Sequence, residues 1–280
     1  MILIADSGST KTDWCLIDDH GKRKRISTQG INPFYQSDDE IDHILNEELL
    51  PSMDDEAGSV DSVFFYGAGL RPEMQPRVGK VVASVFPEAS VEAENDLLGA
   101  ARSLFGSESG IACILGTGSN SGLYDGASIV KNTPPLGFIL GDEGSGATLG
   151  RLFAGSLCKG LMPKGLLEEY LAWSHQTVAD VIQRVYRSPL PNRYLAGMSV
   201  FIHEHLDIPE VHELVVGNFR SFFRRNLVPY ESAHLKVRAI GSIAYYYREL
   251  LDEAARSEHF CVDRIERSPM DGLVKYHLSF

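Results

Sequence analysis

Two stretches of this chain share one layout: an apolar run, a Gly/Ser/Thr turn, and a return run. The first is ILIADSGSTKTDWCLID, starting at Ile2, and the second is GIACILGTGSNSGLYDG, starting at Gly110. An apolar run that turns on such a cluster and comes back reads as strand–loop–strand. Placing Ala5-Asp6-Ser7-Gly8-Ser9-Thr10 on Leu115-Gly116-Thr117-Gly118-Ser119-Asn120 brings Gly8 onto Gly118, Ser9 onto Ser119 and Ser7 onto Thr117. The matching context favours duplication of one α/β unit over a chance likeness of two turns.

Glycines let a backbone approach phosphate closely, and small hydroxyls add donors. Ser7, Gly8, Ser9, Thr10, Lys11 and Thr12 make one candidate phosphate loop; Gly116, Thr117, Gly118 and Ser119 make a second. Neither carries the P-loop pattern GxxxxGK[ST] or the dinucleotide pattern GxGxxG. Taken singly, each is an ordinary turn; as a pair in matching contexts they read as a nucleotide clamp. A carboxylate beside phosphates repels them unless a divalent cation lies between, so Asp6 reads as a magnesium partner acting through water.

Composition narrows the partners. With 26 Lys and Arg against 38 Asp and Glu, the net charge is −12. A field of that sign repels nucleic acid and anionic membrane. The basic run Lys22 to Arg25 reads as a solvated turn. No apolar stretch is long enough to span a bilayer and no leader pattern is visible, so a cytoplasmic location is expected. Cys15, Cys113, Cys158 and Cys261 form no CxxC pair, which supports neither a disulfide framework nor zinc. Cys15, Cys113 and Cys261 sit in apolar runs and read as buried thiols.

Periodicity places helices at 38–50, closed by Pro51, and at 73–85, with strands at SVDSVFFYG and SVEAEND. LLGAARSLFG reads as a helix stopped by Gly106. Past Gly141 the pattern is mostly helical: 145–158, 166–173, 176–186, 196–204, 209–226 and 244–256. Strands are expected at LKVRAIGS and FCVDRIERS, and a short helix after Pro269. The joint between units falls near 106–110, giving units of 1–108 and 109–280, with a terminal helix able to pack back on the first.

Asp96 ends a strand, where an active-site group projects from an α/β sheet. Phosphoryl transfer to an alcohol needs such a carboxylate to orient the hydroxyl and take its proton. Asn95-Asp96 equally suits a helix N-cap, and one residue can serve both ends. Gly141-Asp142-Glu143-Gly144 puts two acids at a helix start; capping explains one, and a substrate hydroxyl would explain the other. Asn32, before Pro33, reads on spacing alone as a turn residue.

Together these residues resemble the N-acetylglucosamine kinases, in the BadF/BadG/BcrA/BcrD-like branch of the superfamily joining sugar kinases, actin and heat-shock ATPases. The motifs that carry the likeness are Asp6 to Thr12, Gly30-Ile-Asn-Pro33, Asn95-Asp96, Leu115 to Asn120, Gly141 to Ser145 and Ala239 to Ile243, in family order across most of the chain. The resemblance implies an α/β fold, a duplicated ribonuclease-H-like (actin-like ATPase) architecture with two lobes around a nucleotide cleft. It implies ATP and Mg²⁺, with Asp96 as the base acting on the 6-hydroxyl of an amino sugar such as N-acetylglucosamine. Asn32, Asn120 and Asp142 would hydrogen-bond the sugar, and Gly241-Ser242 would form the adenosine loop. The mammalian enzymes place a tryptophan against the sugar where this chain has Leu136, before Gly137. Two other readings share the fold or its ligands: an activator ATPase of acyl-CoA dehydratases, with Cys113 and Cys158 as its only conceivable cluster ligands, and a non-catalytic sugar or nucleotide sensor. A homodimer is left open.

Overall fold

The structure is a computed structural model, and it describes residues 1–280 apart from Ser9, Ala233 and Phe280. The chain divides into two compact units, Met1–Ser107 together with Pro269–Phe280, and Glu108–Ser268. Each is built on one five-stranded mixed sheet, and the two sheets have the same topology.

In the first unit, β1 (Ile2–Ser7) pairs antiparallel with β2 (Lys11–Ile17), and β2 with β3 (Arg23–Gln29). On its other edge β1 runs parallel to β4 (Ser62–Gly67), and β4 to β5 (Ser90–Asn95), giving the order β3-β2-β1-β4-β5. Parallel neighbours need a crossover. It is supplied by α1 (Asp38–Ile44) and α2 (Leu50–Met53) before β4, and by α3 (Gln75–Val85) before β5. Alternation along β1 divides the core: Leu3 and Ala5 pack on Ile41, Ile44 and Val78. Ile4 faces the other way, onto Met270, Leu273 and Val274 of the C-terminal helix Met270–Leu278. After β5, α4 (Asp96–Phe105) packs against that same C-terminal helix.

The helix expected to stop at Pro51 runs on to Met53. Proline lacks an N–H and its ring crowds the carbonyl one turn back. The chain absorbs it by widening to a π turn over Leu45–Leu49, with the Leu50 N–H reaching Leu45 O. Buried Leu45, Leu49 and Met53 keep the segment on the core across that change of register.

In the second unit, β6 (Gly110–Leu115), β7 (Ser119–Tyr124) and β8 (Ile129–Asn132) form the antiparallel part, and β9 (Val237–Ile240) and β10 (Val262–Glu266) the parallel part. The order β10-β9-β6-β7-β8 repeats the first sheet read from its other edge. The helices are α5 (Gly137–Leu140), α6 (Gly146–Cys158), α7 (Leu166–Ser174), α8 (Val178–Arg187), α9 (Pro191–Gly197), α10 (Ser199–Glu204), α11 (Pro209–Phe222), α12 (Ser242–Tyr246) and α13 (Arg248–Ser257). A core rich in Phe153, Phe201, Phe219, Phe222 and Phe223 joins them to the sheet. The helix expected at 196–204 is two helices that meet at Met198, and that at 244–256 is two that meet at Tyr247.

The duplication stands, but its register differs from the sequence alignment. β1 and β6 are equivalent strands whose hairpins close at Ser7–Thr12 and Leu115–Ser119. Strand ends therefore place Ser7 opposite Leu115 and Gly8 opposite Gly116, two residues back from the motif match. Asp6 then has Ile114 as its counterpart. Cys261, expected buried, is exposed just ahead of β10, while Cys15 and Cys113 are buried in their strands. Among the described residues no helix is long and apolar enough to cross a membrane.

Candidate active site

Unit 1 gathers its candidates at the ends of β1 and β5. The Ser7–Thr12 hairpin closes through the Gly8 N–H donating to Lys11 O at 2.9 Å. Its two buried hydroxyls point inward. The Ser7 hydroxyl donates to Ile31 O and accepts from the Ile31 N–H, both at 2.9 Å, and lies 2.7 Å from Thr12 Oγ1. Thr12 Oγ1 donates in turn to Gln29 O at 3.0 Å. These hydroxyls bind the hairpin to the Gly30–Pro33 loop, so the exposed backbone at Gly8 and Thr10 is what the turn offers a ligand. Ser9 lies outside the described residues. Lys11 Nζ pairs with Asp13 Oδ1 at 2.7 Å.

Asn32 is 7% exposed, and its side-chain oxygen accepts the Phe34 N–H at 3.1 Å. Its loop is held from two sides. Gln36 accepts the Asn32 N–H at 2.6 Å, and Arg77 on α3 donates to Pro33 O and Gln36 O while pairing with Asp38. Gly69, which the sequence did not single out, lies against Asn32 with φ +73°; a Cβ there would sit 2.3 Å from Asn32 Oδ1. Only glycine allows that turn and that approach.

Asp96 opens α4, but Asn95 caps the helix: its side-chain oxygen accepts the Leu98 N–H at 2.8 Å. The Asp96 carboxylate is thus free of the capping role and accepts the Leu97 N–H. Burial outweighs that bond and pushes Asp96 up to about 6. Asp6 is pushed up to about 7, by burial first and then by the charges of Asp96 and Asp13, against a smaller opposing pull from Lys11. Charged acids this close, partly withdrawn from water, favour a proton or a cation. Among the described residues no set of three or more His, Cys, Asp or Glu is placed to hold a metal ion by itself. A single acid of this kind fits a magnesium ion carried mainly by water and phosphate oxygens.

Unit 2 gathers its candidates around the β6–β7 turn. Gly116 closes it by donating to Gly118 O at 2.9 Å. The first N–H groups of α6 hold the turn from below, Gly146 donating to Gly116 O at 2.8 Å and Ala147 to Thr117 O at 3.0 Å. Ser119 is 6% exposed and its hydroxyl has no partner among the described residues. Asn120 Oδ1 accepts from Asn132 at 2.9 Å. Asp142 faces the same turn: a Cβ on Gly118 would lie 3.1 Å from Asp142 Oδ2. Burial pushes Asp142 up to about 6, the Glu143 charge adds to this, and the Ser119 N–H opposes it.

Glu143 has a different fate. It is bound by Arg225 at 3.2 Å and Asn226 at 3.3 Å, while Asn218 accepts the Gly144 N–H at 3.0 Å. Asn218 and Asn226 are buried polar residues that fix the Gly141–Ser145 segment. They lie more than seventy residues further along the chain, and nothing local in sequence marks them. Gly241 has φ +124°, and a Cβ there would stand 2.2 Å from Leu115 O, so the Gly241-Ser242 turn is pressed against the start of the β6–β7 turn. Leu136 is 63% exposed, in the left-handed conformation, with Gly137 opening α5 beside it.

No protein-family model matches the chain, and no curated protein matches it. Among solved structures, a protein of Porphyromonas gingivalis provisionally named N-acetylglucosamine kinase is 51% identical, spans 100% of this chain and 99% of its own, and superposes with a TM-score of 0.97. The chain belongs to the N-acetylglucosamine kinase family. A Chromobacterium violaceum protein of the same provisional name is 17% identical, spanning 98% of each chain with a TM-score of 0.74. A ROK-family glucokinase from Streptomyces griseus, solved with glucose and AMPPNP, is 16% identical over 98% of this chain and 97% of its own, with a TM-score of 0.57. These two share the fold. Within the N-acetylglucosamine kinase family fold, each unit thus brings its own motifs together: Asp6, Asn32 and Asp96 in one, and Gly116 to Asn120, Asp142 and Gly241 in the other.

Proposed function

We propose that the protein transfers the γ-phosphoryl group of ATP to the 6-hydroxyl of an amino sugar, N-acetylglucosamine being the first choice. The observation that carries this reading is Asp96, a carboxylate at a strand end, relieved of helix capping by Asn95 and held at about 6. A base of that strength is largely ionised at pH 7 and still basic enough to take a hydroxyl proton. Asp96 orients the sugar hydroxyl and accepts its proton as the bond to phosphorus forms. Backbone N–H groups of the two hairpin turns bind the phosphates, and Gly241-Ser242 receives the adenosine. Asn32, Asn120 and Asp142 hydrogen-bond the sugar hydroxyls, with Leu136 and Gly137 beside the ring. Asp6 would hold the water shell of a magnesium ion carried by ATP, which would supply neutralisation of phosphate charge.

The name carried by the 51%-identical relative supports the substrate class. The activator reading is disfavoured by Cys113, which is buried in the core with its thiol pushed far above the usual range by burial. Such a sulfur is poorly placed to ligate a cluster. A sensor reading leaves Asp96 without a task. The deciding experiment is ATP turnover across N-acetylglucosamine, glucosamine, N-acetylmannosamine and glucose. Turnover that depends on an N-acylated sugar and yields its 6-phosphate is expected; no sugar-dependent ADP release with any of them would overturn the proposal.

A further inference from the structure

We propose that the groove between α6 and α11, behind the Gly141–Gly144 turn, is a second ligand site that takes a small organic anion with an apolar body. It is a half-open groove with a volume of about 370 Å³, at the lower end of the range of small-molecule sites. Its lining mixes charged, polar and aliphatic side chains. α6 presents Arg151 and Leu152, α5 presents Ile139 and Leu140, and α11 with the turn after it presents Ser221 and Arg225.

Charge supplies the first argument. Arg151 forms no hydrogen bond or ion pair among the described residues. Arg225 touches Glu143 at 3.2 Å yet is 68% exposed, so much of its guanidinium still faces solvent. Two guanidiniums against one carboxylate leave the groove locally positive in a chain of net charge −12. Guanidinium forks match carboxylate and phosphate geometry, and the bonds they form with them are stronger than neutral ones.

Shape and polarity supply the second. Ile139 and Leu140 are each 73% exposed, and Leu152 is 36% exposed. Three large aliphatic side chains open on one groove are a recognition surface for apolar matter. An anionic head on the two arginines with an acyl or aromatic body on these three satisfies both halves at once. A neutral apolar ligand would leave Arg151 unused, and a bare inorganic anion would leave the aliphatic wall wet.

The groove also backs onto the active turn. Glu143, the partner of Arg225, precedes Gly144 and follows Asp142. An anion that draws Arg225 away from Glu143 loosens the segment that carries Asp142. This consequence, unlike the binding itself, rests on the kinase reading.

The test uses the full chain with hexanoate as the probe and hexan-1-ol as its uncharged control, read by saturation-transfer NMR. Hexanoate is expected to bind about tenfold more tightly than hexan-1-ol, the size of one good charge-assisted contact. Arg151→Gln is expected to abolish that preference without touching hexan-1-ol binding, and added salt to weaken hexanoate alone. Equal binding of the two probes, or a preference that survives Arg151→Gln, overturns the proposal. So does a dimer in sedimentation that Leu140→Glu makes monomeric, because the groove then belongs to a second copy. Saturating hexanoate is further expected to raise the sugar KM several-fold in the wild type and not in Arg151→Gln. Binding without that change overturns the coupling, and because binding is read without turnover, a failed kinase reading cannot be mistaken for either result.

Discussion

The hairpins at Ser7–Thr12 and Leu115–Ser119 stand at the same place in two sheets of the same order, yet they are held in opposite ways. The first is anchored through side chains, its hydroxyls turned inward onto Ile31 and Gln29. The second is anchored through its backbone, with carbonyls capped by the N-terminus of α6 and its Ser119 hydroxyl without a partner among the described residues. The acids divide as well. Asp6 stands on the first strand where the second has Ile114, and Asp96 and Asp142 follow different elements of the two units. Duplication therefore preserved the frame and let the chemistry specialise. On the proposed reading, unit 1 holds the charges that change during the reaction, whereas unit 2 serves in binding alone.

The sharpest way to break that division is to neutralise one acid on each side. Asp96→Asn is expected to lower kcat by ~10²–10⁴ with ATP affinity nearly unchanged, the usual contribution of a positioned base. Asp142→Asn should act mainly on the sugar KM, since it removes a binding contact and no proton acceptor. Steady-state kinetics with calorimetric ATP titration reads both. Equal kcat losses in the two variants would end the distinction.

The next comparison is between glycines at the ends of equivalent strands, Gly67 as the last residue of β4 and Gly241 just after β9. A Cβ on Gly241 meets the Leu115 carbonyl at 2.2 Å with φ at +124°, whereas one on Gly67 meets the edge of the Phe65 ring at 2.7 Å. Backbone cannot yield as a ring can. Gly241→Ala is expected to destabilise by about 3–5 kcal/mol and Gly67→Ala by about half that. Thermal unfolding decides, and a reversed order would mean the second hairpin is the softer one.

How far these features were legible depends on how local their causes are. The hairpins, the Asn95-Asp96 corner and most helices follow from apolar period and turn residues within a dozen positions, and they are where the sequence places them. The π turn at Leu45–Leu49 was not legible, because Pro51 marks a stop unless the core on Leu45, Leu49 and Met53 is known to hold the chain together. The motif alignment was off by two residues, since it matched letters in the turns whereas the sheet equates strand ends. Asn218, Asn226 and Gly69 escaped for a related reason: their partners Gly144, Glu143 and Asn32 are distant in sequence, and isolated asparagines or glycines carry no signal. Asn32 itself read as a turn residue until the family motif raised it; its burial against Gly69 accounts for its environment without assigning its role.

A smaller effect separates the two serines. Ser7→Ala removes both an acceptor and a donor for Ile31 in a buried site, and is expected to destabilise by about 2–3 kcal/mol. Ser119→Ala removes a buried hydroxyl with no partner among the described residues, so the free protein should be unchanged or slightly more stable, while the KM for sugar or ATP should rise. Denaturant titration on both variants measures the first pair of outcomes. If Ser119→Ala destabilised as strongly as Ser7→Ala, the second hairpin would be side-chain anchored too, and the contrast between the two would fall.

The smallest effect has the most distinctive pH signature. Asp6 stands at about 7 instead of the ordinary 3.8, with burial the main cause. The folded chain therefore holds a proton on Asp6 that the unfolded chain releases. Its contribution to stability is full below about pH 4 and is lost as pH rises through 7. Asp6→Asn removes a charge that the folded state tolerates poorly, so the free variant is expected to be more stable than the wild type at pH 8. Partial exposure trims the full shift, leaving about 1–2 kcal/mol. The advantage should shrink steadily below pH 7 and disappear near pH 4, where both side chains are neutral. Its counterpart position, Ile114, has no charge to withdraw and gives no such slope. Paired urea titrations from pH 4 to pH 8 test it: a variant less stable at pH 8, or a gain that does not vary with pH, would show that Asp6 is not under electrostatic strain and would remove the main physical reason for giving it a cation.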